Sequence, residues 1–357
     1  MLKSIITIVL LTFFYCANTA QAAAWQDIST GEYTYKQLQT KTSRSGPTLM
    51  FSDSPEYVRD YGVLYEDKLQ GDIRIFYYHV NDKWPEARIA VVVLNEELRP
   101  VNVKVLKQAK PKPSYHWQRD GQLAQQLYFG AQTPYEAKLG MYDKLELLSG
   151  SNGLLYKKDE LAQGIIELHT DAPVTVKIVS LPPAAQIGEY LDIAAPISAD
   201  NVRDIPLRGT FPQANKTIVL EELRFEGTDM LGVVIADGQQ DKFVEGQDAP
   251  TGKKAENYGN YGVFYEILFE NKSDAKIGVR LNGTAGLIAG QVLISEQNGK
   301  NLRKVDFPTD NTKFFSEFGR ETILVGEFPA KFKGKIIFSP PGTGNLPITL
   351  LFYKLDK

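Results

Sequence analysis

From Val63 onward the chain is written in short apolar runs separated by turn residues. Ile73-Arg74-Ile75-Phe76-Tyr77-Tyr78-His79-Val80, Arg88-Ile89-Ala90-Val91-Val92-Val93-Leu94 and Val101-Asn102-Val103-Lys104-Val105-Leu106 are bounded by Gly71-Asp72, Asn81-Asp82 and Asn95-Glu96-Glu97. They are rich in β-branched and aromatic residues, which favour strands. In the last run Val101, Val103 and Val105 alternate with Asn102 and Lys104, so one face is buried and the other wet. That pattern predicts antiparallel sheets packed as a sandwich. Similar runs resume at Ile165–His169 and Val174–Val179, and recur through the second half from Thr217–Phe225 to Ile348–Tyr353.

Two stretches break the pattern. Residues 108–144 are polar, Gln-rich and aromatic; Gln122–Phe129 reads as one or two helical turns, and Thr133-Pro134 offers an N-cap followed by a first-turn proline. Residues 181–210 carry Pro182, Pro183, Pro196 and Pro206 with little periodicity, and read as a linker.

The strand-rich halves share a heptapeptide. Asp60-Tyr61-Gly62-Val63-Leu64-Tyr65-Glu66 returns as Asn260-Tyr261-Gly262-Val263-Phe264-Tyr265-Glu266, identical at five of seven positions. A second echo pairs Ala172-Pro173-Val174-Thr175-Val176 with Leu346-Pro347-Ile348-Thr349-Leu350. The expectation is an all-β protein of two tandem, duplicated antiparallel β-sandwich domains, residues 25–180 and 211–357, with a mixed, partly helical insertion at about 108–144 in the first. The interval from Gly62 to Pro173 exceeds that from Gly262 to Pro347 by 26 residues, and the insertion accounts for most of this surplus. For the repeat residues Tyr61, Gly62, Tyr65, Tyr261, Gly262 and Tyr265 a structural role is the simpler reading: a glycine turn leading into a strand with one packed face.

The N-terminus changes the compartment. Lys3, the apolar run Ile5–Phe14 and the small residues around Ala20-Gln21-Ala22 form a secretory signal, residues 1–24. The apolar run is shorter than the ~20 residues a spanning helix needs, so no membrane span is expected after cleavage. Cys16, the single cysteine, leaves with the signal, so no disulfide is expected. Removing Lys3 leaves 39 basic against 43 acidic residues, a net charge near −4. Without a basic block, nucleic acid is not expected as a partner.

Candidate chemistry is sparse. His79, His116 and His169 are the three histidines, without the close pairing of a zinc site, and no Gly-x-Ser-x-Gly elbow occurs. Asn257-Tyr258-Gly259-Asn260-Tyr261 has the wrong spacing for a copper-dependent tyrosine quinone, and copper needs more imidazoles. Glu221 and Glu222, adjacent on a strand, point to opposite faces. Two binding hypotheses remain. Tyr115, His116, Trp117, Tyr128 and Phe129 in the insertion can stack on sugar rings or peptide beside the amides of Gln118, Gln125 and Gln126, making an envelope polysaccharide or a surface protein the expected partner. Asp237, Asp241, Glu245 and Asp248 can offer oxygens to calcium, the only cofactor considered, although Lys242 competes and a plain turn-rich loop is simpler.

The pieces Asp237-Gly238, Asp248-Ala249-Pro250-Thr251-Gly252-Lys253 and Asn257–Tyr265 resemble a segment of uncharacterised exported bacterial surface proteins. Some of those carry a stalk-like module named after the copper amine oxidase N-terminal region, which is not evident here. The resemblance covers roughly the second half and implies export and a β-rich fold, without an activity or a catalytic residue. The reading is therefore an exported, non-catalytic binding or structural protein. The alternative is a polysaccharide-active enzyme or carbohydrate-binding accessory using the insertion.

Overall fold

Two strands of unusual length, Gly62–Asn81 and Leu161–Leu181, pair antiparallel along almost their whole span. The runs Ile165–His169 and Val174–Val179 are thus two halves of one strand. The register slips between Thr170 and Val174, opposite Gly71, whose φ of +83° suits a residue without Cβ. Beyond that irregularity the two halves acquire different neighbours. Val101–Ala109 pairs with residues 165–170, and Glu86–Leu94 with residues 175–181. Apolar side chains from both, including Val91, Val93, Val103 and Val105, meet Ile75, Tyr77 and Val176 in one core cluster.

This is a computed structural model, describing residues 28–148, 154–202, 204–295, 302–307 and 319–355. The expected signal peptide lies outside the described residues. The fold is all-β, with two short helices among the described residues.

The second body packs two six-stranded sheets face to face. Ile218, Ile267, Phe269, Val292, Ile336 and Phe338 from one sheet meet Leu231, Val233, Val279, Leu281, Val325 and Phe352 from the other. Burying each such side chain contributes about 1.5–3 kcal/mol.

Several pairings differ from the sequence expectation. The N-terminal strands, expected in the first domain, complete the second body: Ile28–Thr30 pairs with Glu321–Phe328, Lys36–Gln37 with Met230–Ile235, and Thr40–Ser45 with Asn215–Leu220. Among the described residues four strand pairs are parallel, including Asn215–Leu220 with Phe264–Asn271 and Thr48–Ser52 with Gly62–Asn81. Thr133-Pro134 starts no helix; Tyr135–Leu139 is a strand on Val101–Ala109. The echoed segments also do not occupy equivalent places. The Ala172–Val176 segment lies in the strand paired with the first heptapeptide, whereas Ile348–Lys354 lies in the sheet opposite Phe264–Asn271.

The proline-bearing stretch 181–210 is secured to the first body. It holds helix Ile187–Leu191 and the hairpin Asn201–Val202/Ile205–Pro206, and Ala195 and Ile197 exchange backbone hydrogen bonds with Val63. A two-stranded ribbon then joins the bodies. Residues 209–220 run antiparallel to residues 40–51, pairing Phe211 with Leu49 in one sheet and Leu220 with Thr40 in the other.

Candidate functional site

The insertion forms helix α1, Trp117–Tyr128, and its inward face is largely polar. Asp120, Gln122, Ala124, Gln125 and Tyr128 are buried. Gln125 accepts the Gln291 N–H through Oε1 at 2.6 Å and donates to the Ser339 carbonyl, while Gln122 donates to the Gly290 carbonyl at 3.3 Å. Tyr128 donates to Glu167 at 2.6 Å and places its ring 4.5 Å from Phe264. Glu167 is ion-paired at 2.7 Å with buried Arg74, whose guanidinium lies 4.1 Å from the Phe264 ring centre. Helix α1 is therefore a wedge between the two bodies, with its buried amides partnered as burial demands. The burial of Asp120 raises its carboxyl to about 6.

The five aromatic candidates of the insertion split accordingly. Tyr128 is in the core, and Phe129 is half-buried edge-on to Phe264. Trp117 is half-buried, donates Nε1–H to the Asp159 carbonyl and lies 6.2 Å from Tyr57, which sequence reading did not single out. Tyr115, 58% exposed, and His116 face solvent. The five do not line one cleft.

The four acidic candidates separate too. Asp237 accepts the backbone N–H groups of Gln239, Gln240 and Asp241 in a tight turn. Glu245 pairs on the surface with Lys254 at 2.7 Å. Asp241 and Asp248 are buried and each takes a different cation. Among the described residues, no three His, Cys, Asp or Glu side chains converge as metal ligands.

Those two buried carboxylates meet the repeat tyrosines, joining features that were separate in the sequence. In the first body, Arg208 Nε donates to Asp248 Oδ1 at 3.0 Å, and the guanidinium lies 5.6 Å from the Tyr65 ring centre. Arg208 also donates to the carbonyls of Leu64 and Ile197. The Tyr65 hydroxyl bonds Thr210 Oγ1 at 2.9 Å and accepts the Ala249 N–H at 3.3 Å. In the second body, Lys216 Nζ donates to Asp241 Oδ1 at 2.6 Å and lies 5.6 Å from the Tyr265 ring centre. Tyr265 donates to Asp241 Oδ2 at 2.7 Å and accepts from Asn260 Nδ2 at 2.7 Å; the Ala236 N–H donates to the same Oδ2 at 2.8 Å. Burial lowers the Lys216 ammonium pKa and Asp241 opposes that; burial drives both tyrosine pKa values upward. Each repeat tyrosine thus fastens the segment 237–256 beside a buried cation–carboxylate pair, Tyr65 through Thr210 and the backbone of Gln247 and Ala249, Tyr265 through Asp241 itself.

The other repeat positions also serve packing. Tyr61 stacks on Trp84 with ring centres 4.5 Å apart, and Tyr261 donates to the Gly344 carbonyl at 2.9 Å. A Cβ on Gly62 would meet the Ala195 carbonyl at 2.4 Å, and Gly262 has φ +74°. Sequence reading missed Arg208, Lys216 and Asn260. A usable signal existed for one: Lys216 precedes Ile218 and Leu220 on the inward side of an alternating strand.

The histidines stay apart. His79 is buried between the Pro55 carbonyl, which takes its Nδ1–H at 2.9 Å, and Ser52 Oγ, 2.9 Å from Nε2. Ser52 and His79 have the spacing of a nucleophile and base, yet both are fully buried, so a substrate cannot reach them. Burial lowers the imidazole to about 4. His169 pairs with Asp72 on the surface. A groove of about 860 Å³ on the outer face of the second body is lined by Val219, Leu268, Glu222, Glu270, Lys333 and Lys335. Its charges are engaged in surface pairs, Lys335 with Glu266, Lys333 with Glu270 and Glu222 with Lys272.

No family model and no curated protein matches the chain. Among solved structures, the oxalate decarboxylase of Lactobacillus farciminis in a formate complex is 12% identical, with 87% of each chain covered, at a TM-score of 0.15. The tandem CBM22 domains of Paenibacillus barcinonensis Xyn10C are 9% identical, covering 88% of this chain and 99% of that one, at a TM-score of 0.16. Scores this low carry no argument about activity or ligand.

Proposed function

We propose that the chain is an exported, non-catalytic binding or structural protein of the cell envelope or extracellular space. The observation that carries this reading is helix α1: the insertion that held the best candidate for an open site instead wedges between the bodies, with Tyr128, Gln122 and Gln125 turned inward. The fully buried Ser52–His79 pair and the tyrosine clusters point the same way, because their polar groups are spent on internal partners. The alternative, carbohydrate binding, draws on exposed Tyr115 and on Tyr57 beside Trp117. A surface protein is the partner expected of the structural reading, and an envelope polysaccharide that of the carbohydrate-binding one.

Thermal denaturation of the mature protein with envelope polysaccharides and peptidoglycan fragments, with calcium and chelator as controls, separates these readings, since a ligand raises the melting temperature by mass action. The structural reading expects no shift with saccharide. A saccharide shift abolished by Trp117→Ala would replace it with the carbohydrate-binding one.

A further inference from the structure

The Lys216–Asp241 cluster has more than an ion pair requires. A primary amine touches a carboxylate at 2.6 Å, with each side chain 4% exposed. The amine is fixed by a second acceptor, the Lys242 carbonyl. The carboxylate is polarised on its other oxygen, where Oδ2 accepts both the Ala236 N–H and the Tyr265 O–H at 2.8 and 2.7 Å. Two donors on one oxygen, aimed where negative charge would develop, are the elements of an oxyanion hole. Asn260 Nδ2 in turn donates to the Tyr265 oxygen and steadies the phenol as it gives up its proton density.

We propose that Lys216 and Asp241 condense to an intramolecular amide cross-link after folding. The ammonium first passes a proton to Asp241 Oδ1, 2.6 Å away, giving a neutral amine and a neutral acid. Lys216 Nζ then attacks Cγ of Asp241, forming the C–N bond. The Oδ2 of the tetrahedral intermediate takes the negative charge, held by Ala236 N–H and Tyr265 O–H. The Cγ–Oδ1 bond breaks, and Oδ1 leaves as water carrying two of the three ammonium protons; the third stays on the amide nitrogen. Nothing is oxidised or reduced. Amide formation is disfavoured in bulk water, but here the alternative is keeping two charges desolvated, and the cross-link removes both. It would tie the ribbon strand Asn215–Leu220 to the segment 237–256, 25 residues apart in sequence.

The first body is a built-in control. Asp248 is the buried carboxylate there, but its cation is Arg208, whose delocalised guanidinium is not a nucleophile, and its Oδ2 is bonded by Thr251 in place of a tyrosine, so no cross-link forms.

The test is peptide mapping by tandem mass spectrometry of the denatured full chain. The expected result is a branched peptide joining Lys216 to Asp241, lighter than the sum of its parts by one water, with no tryptic cleavage after Lys216. Tyr265→Phe, with folding confirmed by circular dichroism, should lower the rate of cross-linking on the order of tenfold or more, since one oxyanion donor is lost. If Tyr265→Phe does not fold, the wild-type map still decides. An unmodified Lys216, cleaved by trypsin and found in linear peptides, would overturn the proposal.

Discussion

The clusters around Tyr65 and Tyr265 answer one packing problem with different cations. Both place a phenol from the shared heptapeptide beside a buried positive charge and an aspartate of the segment 237–256. Arg208 spreads its fork over Asp248 and the carbonyls of Leu64 and Ile197, so it ties together several backbone segments. Lys216 is a point charge with a carboxylate and one carbonyl, and its aspartate is claimed directly by the tyrosine. The difference teaches that a repeated sequence can conserve the anchor while its partners diverge. The first cluster is a hydrogen-bonded junction; the second is compact enough for covalent chemistry.

The comparison is broken most severely by removing a carboxylate. Asp248→Ala leaves Arg208 buried without its counter-charge and should cost about 3–5 kcal/mol in urea denaturation. Replacing Arg208 and Asp248 together by Met and Leu should cost clearly less, because no lone charge remains. Equal losses in the single and double variants would contradict the ion-pair account.

Next in size is a pH effect confined to the Arg208 side, since burial lowers the His79 pKa to about 4, with a smaller push downward from Arg208. The folded pKa lies below the unfolded value near 6.5, so the unfolded chain binds the proton more readily. Stability is full above the unfolded pKa and is lost as pH falls towards 4, by on the order of 3 kcal/mol. Asp120, raised to about 6, works in the opposite sense: its stabilising effect is lost as pH rises through that value. The difference between wild type and His79→Gln as a function of pH isolates the histidine, and parallel curves would contradict the assignment.

Smaller again are the phenols. Tyr65→Phe and Tyr265→Phe should each cost about 1–3 kcal/mol by leaving buried partners short of a donor. Tyr265→Phe should be the larger loss, because Tyr265 donates to the buried carboxylate of Asp241 whereas Tyr65 bonds only neutral groups, the Thr210 hydroxyl and the backbone of Gln247 and Ala249. Lys254→Ala, which removes only the exposed partner of Glu245, should leave the melting temperature unchanged within error.

Strands were legible because alternation such as Val101–Val103–Val105 is a local signal. Helix α1 was legible in its core, Gln122–Tyr128, but not in its start at Trp117, since His116 makes no side-chain cap bond. Pairing partners were not legible, for hydrogen bonds between residues 40–45 and 215–220 leave no mark in either stretch. The candidate residues show the same division. The repeat announced Tyr65 and Tyr265, and composition flagged Asp241 and Asp248, but their union depends on contacts across more than 180 residues in the case of Tyr65 and Ala249. Aromatic content alone placed Tyr115 and Tyr128 in one set, although the wedge turns one outward and the other inward.

The claim that the repeated tyrosines anchor the fold, and do not form a ligand platform, is tested most directly by the double variant Tyr65→Phe/Tyr265→Phe. Its melting temperature and its response to the same polysaccharide panel would be measured side by side with wild type. A lowered melting temperature with the wild-type ligand response is the predicted result. Unchanged melting accompanied by loss of a polysaccharide-induced shift seen in wild type would contradict it.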